Sequence, residues 1–98
     1  MSTADSQPRT QQPMHVFDVY ARSEQGRILH FDVILPVNDP ELALASARTW
    51  LQSIGHENAS VQAENCAFCH TEAETPPQFE EEIRERGYAI YKMEGCPR

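Results

Sequence analysis

Two short runs of alternating apolar and polar residues constrain the fold of this chain more than any other feature. The runs are HVFDVYA at residues 15–21 and RILHFDVILP at residues 27–36, and both are rich in β-branched and aromatic side chains. The intervening RSEQG ends in Gly26, and glycine readily accepts the positive φ that hairpin loops require. The pattern predicts a β-hairpin as the centre of a small sheet.

The same alternation predicts which hairpin side chains are buried, because successive side chains of a strand point to opposite faces. The expected register pairs Phe17 with Phe31 and Val19 with Leu29. One face then carries only apolar residues, namely Phe17, Val19, Leu29, Phe31, Val33 and Leu35. We expect this face to be covered by a layer of helix.

The other face of the hairpin carries Asp18, His30 and Asp32. Asp18 and His30 are expected to face each other across the two strands and to form a charged hydrogen bond. Acid–base catalysis by this pair would need a cleft and a nucleophile, and the sequence indicates neither. A structural cross-strand pair is therefore the preferred interpretation, and no enzymatic reaction is predicted.

Four further elements follow the hairpin. Asp39 and Pro40 are typical of a helix start, and Gly55 is typical of a helix end. A second helix opens at a Thr-Pro-Pro sequence and carries glutamates in its first turns and arginines in its last. The predicted elements are a helix at 40–54, a strand at 59–65, a helix at 76–86 and a strand at 88–94.

This order, β-β-α-β-α-β, predicts an α/β protein of the two-layer α+β sandwich type. Each strand–helix–strand unit normally forms a parallel crossover, so strands two, three and four are expected to be parallel, with strand one antiparallel to its neighbour. The prediction is thus a four-stranded mixed sheet with two helices on one face. Residues 15–98 are expected to form a single domain, and residues 1–14 are expected to form a disordered tail.

Charge and hydropathy argue against several classes of partner. The net charge is −7, from 15 acidic and 8 basic residues, and Lys92 is the one lysine of the chain. Binding to phosphate backbones or anionic membranes needs clustered basic residues, so neither partner is expected. No secretory signal or membrane-spanning run is recognised, and a cytoplasmic location with reduced thiols is expected.

The most distinctive motif is NCAFCHTEAE at residues 65–74, which brings Cys66, Cys69 and His70 close together in sequence. In the predicted topology Cys66 and Cys96 follow the carboxyl ends of parallel strands, and His15 reaches the same edge of the sheet. Zinc binds four Cys or His donors in a tetrahedron, and a C-x-x-C pair can supply two of them. The leading hypothesis is therefore a binding module with zinc held by Cys66, Cys69, Cys96 and His70, or by His15 in place of His70.

Other interpretations of the motif remain open. Cys66 and Cys69 could exchange disulfides, although their flanking glutamates disfavour the thiolate. C-x-x-C-H is also the attachment pattern of c-type haem, which belongs to exported proteins. The simplest interpretation is that the cysteines are small buried packing residues. A protein that forms a homodimer through an edge strand, either strand three or strand one, is a further alternative.

Several strings together resemble a known family. They are VFDVYA (16–21), GRILHFDVILP (26–36), CAFCH (66–70) and GYAIYKMEGC (87–96). Their combination resembles the small bacterial family catalogued as domain of unknown function 2024, over nearly everything after the tail. The resemblance implies a compact α/β domain of the type derived above. It implies no activity, substrate or cofactor.

Overall fold

The computed structural model describes residues 13–93. It contains a four-stranded sheet and two helices in the order that the sequence predicts, so the α+β sandwich is confirmed. The elements are β1 (Met14–Arg22), β2 (Ile28–Leu35), α1 (Pro40–Ser53), β3 (Cys66–Glu72), α2 (Pro77–Arg86) and β4 (Ala89–Lys92), with a 3₁₀ turn at Ala63–Asn65. Neither helix is long and apolar enough to cross a membrane.

The hairpin forms with the predicted faces but with a different register. Phe17 lies opposite Val33, and Val19 lies opposite Phe31, so each residue of β1 pairs two positions further along than expected. The turn sets this register, because the N–H of Ser23 donates a hydrogen bond to the carbonyl of Arg27 at 2.8 Å. The residues up to Arg22 therefore stay in the strand. A shift of two residues leaves every side chain on its predicted face.

The face that carries Phe17 and Phe31 packs against α1 and forms the main core. Asp39 caps this helix by accepting hydrogen bonds from the N–H groups of Glu41 and Leu42, as predicted from the Asp-Pro sequence. The Trp50 ring lies 4.6 Å from the Phe31 ring, measured between centroids. Helix and sheet residues of this core include Phe17, Val19, Leu29, Phe31, Val33, Leu35, Ala43, Ala47, Trp50 and Leu51.

The sheet is antiparallel throughout, with strand order β3-β1-β2-β4, so the prediction of a mixed sheet was wrong. β3 does run in the direction of β2, as predicted, but β1 lies between them. β4 runs the opposite way because α2 crosses the sheet instead of returning along it. The ten residues of α2 span about 15 Å. This length is close to three inter-strand spacings, which is the distance across the sheet from β3 to β4. β4 therefore starts at the end of the sheet where β3 finishes.

The second helix packs on the face opposite to α1, which corrects the prediction that both helices cover one face. Phe79 and Ile83 of α2 pack against a second, smaller apolar cluster of Met14, Val16, Ile34 and Ala89. These residues alternate with those of the main core along the same strands. The Glu82 carboxylate of α2 also accepts a hydrogen bond from Ile90 N–H at 3.2 Å, which covers part of the outer edge of β4.

Candidate functional site

Helix α2 covers only one end of its face of the sheet. Further along β1 and β2, the same face carries three half-buried polar residues, Asp18, His30 and Asp32, which we call the polar cluster. Asp18 lies opposite Asp32 in the β1–β2 ladder, and His30 precedes Asp32 by two positions. Because alternate residues of a strand share a face, all three side chains emerge on the side that α2 leaves open.

The side chains of the polar cluster are in mutual contact. His30 Nε2 lies 2.6 Å from Asp18 Oδ1. One potential ligand atom from each residue lies within 4.8 Å of the other two, and residues 13–93 contain no other such group of three or more His, Cys, Asp or Glu side chains. The Tyr20 ring stacks on the His30 imidazole with a centroid separation of 4.1 Å and an interplanar angle of 10°. The stacking fixes the plane in which the imidazole lies.

Burial and the neighbouring Asp18 carboxylate disfavour a negative charge on Asp32. Together they raise the pKa of Asp32 from 3.8 to about 6, with burial as the larger cause and the hydrogen bond and charge of Asp18 next. The imidazoles of His30 and His70 act in the opposite direction. Two carboxyl groups held this close repel each other when both are ionised. A proton on Asp32 relieves the repulsion, and so would a bound cation.

The structure places Cys66 away from this face. Cys66 is the first residue of β3, where it pairs with Val19 and is buried in the main core. Burial raises the pKa of its thiol above the ordinary 9.0. The sequence pattern predicts a strand at 59–65 with Cys66 at its carboxyl end, but β3 begins at Cys66, where the predicted strand would end. Cys66 therefore packs as a small apolar residue.

Cys69 lies in the middle of β3, at a β-bulge. Phe68 pairs with Phe17 and His70 pairs with Val16, so Cys69 is the extra residue on its strand. Its thiol is exposed. Consecutive residues of a strand rise about 3.3 Å, so Cys66 and Cys69 are separated by up to about 10 Å along it. A C-x-x-C pair binds one metal ion only when a turn brings its two sulfur atoms together, and here the two cysteines lie on an extended strand.

Of the remaining predicted ligands, His15 lies on β1 and His70 on β3. His15 hydrogen-bonds Thr71 Oγ1 at 2.9 Å, near the end of β3 opposite to Cys66, so the expected convergence of His15 with Cys66 does not occur. His70 shares a face with Glu72, and its Nε2 lies 2.7 Å from Glu72 Oε2. Cys96 lies outside the described residues, so the four-ligand set that includes it stays a prediction.

The sequence contained the information for the polar cluster, but the assumed register concealed it. The predicted register set Asp18 opposite His30 as an isolated pair. The observed register sets Asp18 opposite Asp32, with His30 on the adjacent diagonal, and a pair becomes a cluster of three. The hydrogen bond between Asp18 and His30 is confirmed. A register shifted by two positions was the alternative that keeps every predicted buried side chain on the buried face.

The fold and the cluster together define a small α+β sandwich that presents a histidine and two aspartates on a partly uncovered sheet. The chain belongs to the family described as "Domain of unknown function (DUF2024)", whose model matches residues 12–93. It is similar to protein NE1680 from Nitrosomonas europaea, a structure solved by NMR, with 46% identity and a TM-score of 0.76. That match covers 87% of this chain and 99% of the other. None of the curated proteins compared with the chain matches it.

Proposed function

We propose that this protein is a metal-binding module that holds a divalent transition-metal cation, with zinc the favoured ion, between Asp18, His30 and Asp32. The observation that carries the proposal is the mutual proximity of the three ligand atoms, within 4.8 Å of one another. One imidazole and two carboxylates are ligands that zinc accepts. Three protein ligands leave a fourth position for water or a second molecule.

The geometry requires little rearrangement. Tetrahedral coordination with bonds of about 2.0–2.2 Å places two ligand atoms roughly 3.3–3.6 Å apart. His30 Nε2 and Asp18 Oδ1, now 2.6 Å apart, would separate by about 1 Å as the ion takes the place of the proton between them. The other pairs of ligand atoms, which lie within 4.8 Å of one another, would have to approach by up to about 1.5 Å. The ion also neutralises the repulsion that now favours a proton on Asp32.

The choice of ion follows from the donors and from the charge of the chain. An imidazole nitrogen suits zinc and other late transition metals, whereas magnesium and calcium prefer oxygen ligands alone. The net charge of −7 raises the local concentration of cations around the protein. The open position of the polar cluster on the sheet gives an ion a direct route from solvent.

Isothermal titration with zinc tests the proposal. We expect wild-type protein to bind one equivalent, and Asp18→Asn to bind at least about tenfold more weakly because an amide cannot replace a carboxylate ligand. Glu24→Gln removes an exposed carboxylate of the hairpin loop and should bind as wild type does. Magnesium should bind far more weakly than zinc. Equal zinc affinities of the Asp18 variant and wild type would refute the proposal.

A further variant separates this site from the cysteine set that the sequence suggested. Zinc held by Cys66, Cys69, His70 and Cys96 would be lost when Cys69 is replaced by serine. The polar cluster contains no sulfur, so Cys69→Ser should leave the affinity for zinc unchanged. If the serine variant loses zinc while Asp18→Asn retains it, the cysteine set is the site instead.

A second candidate function is homodimerisation through β3. Of the two edges of the sheet, the outer edge of β4 is partly covered by Glu82, whereas all of β3 after Cys66 is exposed. β1 is central in the sheet and is therefore not available for this role. An uncovered edge strand can pair with the same strand of a second copy.

Sedimentation equilibrium over a wide concentration range tests this candidate. We expect the mass to rise from 11.1 kDa towards twice that value as concentration increases. Ala67→Lys places a charge on the exposed edge strand and should weaken association, whereas Ala45→Lys, exposed on α1, should not. A protein that stays monomeric at millimolar concentration would eliminate the candidate.

A further inference from the structure

We propose that Cys69 is a reactive thiol that forms mixed disulfides with low-molecular-weight disulfides, with His70 as its base and Glu72 as the group that orients His70. None of these three residues is a proposed metal ligand, although the His70 imidazole acts electrostatically on Asp32, so separate variants test the two proposals. This inference also differs from a Cys66–Cys69 redox couple, since it requires one thiol of the protein.

Three side chains of β3 form a hydrogen-bonded chain. Cys69 Sγ lies 3.2 Å from His70 Nδ1, and His70 Nε2 lies 2.7 Å from Glu72 Oε2. A nucleophile in contact with a base, and a base held in turn by a third group, is the arrangement that activates cysteine and serine nucleophiles in general. A hydrogen bond from Nε2–H to the Glu72 carboxylate favours the tautomer in which Nδ1 is free to accept the proton of the thiol.

The β-bulge makes this chain possible. In a regular strand the side chains of consecutive residues point to opposite faces and do not meet. Cys69 is the extra residue between the pairs that Phe68 and His70 make with β1, and the bulge redirects its side chain. The thiol and the imidazole therefore meet at an exposed edge, where a small disulfide can approach the sulfur.

The exchange balances without any additional oxidant. The Cys69 proton passes to His70, and the thiolate attacks one sulfur of the small disulfide. A new sulfur–sulfur bond forms to Cys69, the original disulfide bond breaks, and the departing thiolate takes the proton from His70. The oxidation of the Cys69 sulfur is balanced by the reduction of the departing sulfur, and one thiol is released.

Cys66 cannot resolve this mixed disulfide within the folded domain. Its thiol is buried in the main core, and it lies up to about 10 Å from Cys69 along the strand. A disulfide requires Cα atoms closer than about 7 Å. Within residues 13–93, therefore, no second thiol can reverse the modification, and a thiol from solution does so, as expected for a reversible modification site.

The test measures the rate at which Cys69 reacts with an aromatic disulfide, 5,5′-dithiobis(2-nitrobenzoate), at pH 7. The parent variant carries Cys66→Ser and Cys96→Ser, so that Cys69 is its one thiol, and NMR spectra verify that each variant is folded. We expect His70→Asn to slow the reaction about tenfold and Glu72→Gln about threefold, because each removes one part of the proton relay. Glu74→Gln, a nearby exposed carboxylate, should react as the parent does.

A second measurement uses the wild-type protein with oxidised glutathione. Mass spectrometry with peptide mapping should locate one added glutathionyl group, and it should lie on Cys69. An unchanged rate for His70→Asn in the first experiment would overturn the proposal, because the thiol would then react without its base. Modification of Cys66 in preference to Cys69 would overturn it as well.

Discussion

Replacing Phe31 by alanine is expected to destabilise the protein by about 3–5 kcal/mol, the usual range for truncating a fully buried phenylalanine. Phe31 has a relative exposure of 0% and lies on β2, one of the two central strands of the sheet. Its ring is in contact with Trp50 and so joins the sheet to α1. Small domains are stable by only about 5–15 kcal/mol, so this one change removes much of the total.

Urea denaturation at 25 °C measures the effect on Phe31→Ala, with Phe68→Ala as the matched control. Phe68 is 45% exposed on the edge strand β3, although its ring makes an edge-on contact with Phe17. The same truncation there should cost less than about 1.5 kcal/mol, because most of the ring is never removed from water. Equal losses for the two variants would contradict the position of the core.

Replacing Asp32 by asparagine is expected to have two opposite effects. Without metal, the variant should be more stable than wild type above pH 7, by about 1–2 kcal/mol. The elevated pKa of Asp32, about 6 instead of 3.8, sets an upper bound of about 3 kcal/mol, and partial exposure to solvent reduces it. The asparagine amide can still donate a hydrogen bond to Asp18. With zinc, the variant should lose the stabilisation that wild type gains.

The sign of the pH dependence follows from linkage. Because folding raises the pKa of Asp32, the stability that this group contributes is fully present below pH 3.8 and is lost as the pH rises through about 6. The difference between wild type and Asp32→Asn should therefore appear within this window and stay constant above it. Thermal melts from pH 4 to pH 8 in the presence of EDTA measure it.

Asp39→Asn provides the control for this comparison. Asn and Asp are equally good at the start of a helix, so this change should alter stability by less than about 0.5 kcal/mol at any pH in the window. An Asp32→Asn variant that is less stable than wild type at pH 8 without metal would contradict the electrostatic account. A variant that retains the full stabilisation by zinc would contradict the metal site.

Local patterns were sufficient to predict the hairpin faces and α1. The alternation around Phe17 and Phe31 assigns both side chains to the same buried face in either register, and the Asp39–Pro40 pair with Gly55 delimits a helix. These features depend on interactions between residues close in sequence. In these segments the local propensity and the pattern of buried residues predict the same secondary structure.

The sheet topology could not be predicted in the same way. The direction of β4 depends on whether α2 runs along the strands or across them, which is decided by the contacts of Phe79 and Ile83 with a second apolar cluster. That cluster combines Val16 and Ile34, which the alternation assigned to the polar face of the hairpin. A face that is apolar at one end and polar at the other does not follow a single periodic pattern.

The candidate sites also depend on contacts that a local sequence pattern does not predict. The C-x-x-C-H motif attracted the prediction because it is conspicuous in sequence, but an extended strand separates Cys66 from Cys69. The polar cluster is inconspicuous because Asp18 is far in sequence from His30 and Asp32. Only the register of β1 against β2 brings them together. The contact of Cys69 with His70 depends on a β-bulge, which could not be predicted from the sequence of β3.

The location of bound zinc is the most direct test of the proposed function. Crystals grown with one equivalent of zinc allow its position to be determined from anomalous scattering measured on both sides of the zinc absorption edge. We predict a peak within about 2.0–2.2 Å of His30 Nε2 and of one carboxylate oxygen each from Asp18 and Asp32. A zinc peak beside the cysteines, with none at these three side chains, would contradict it.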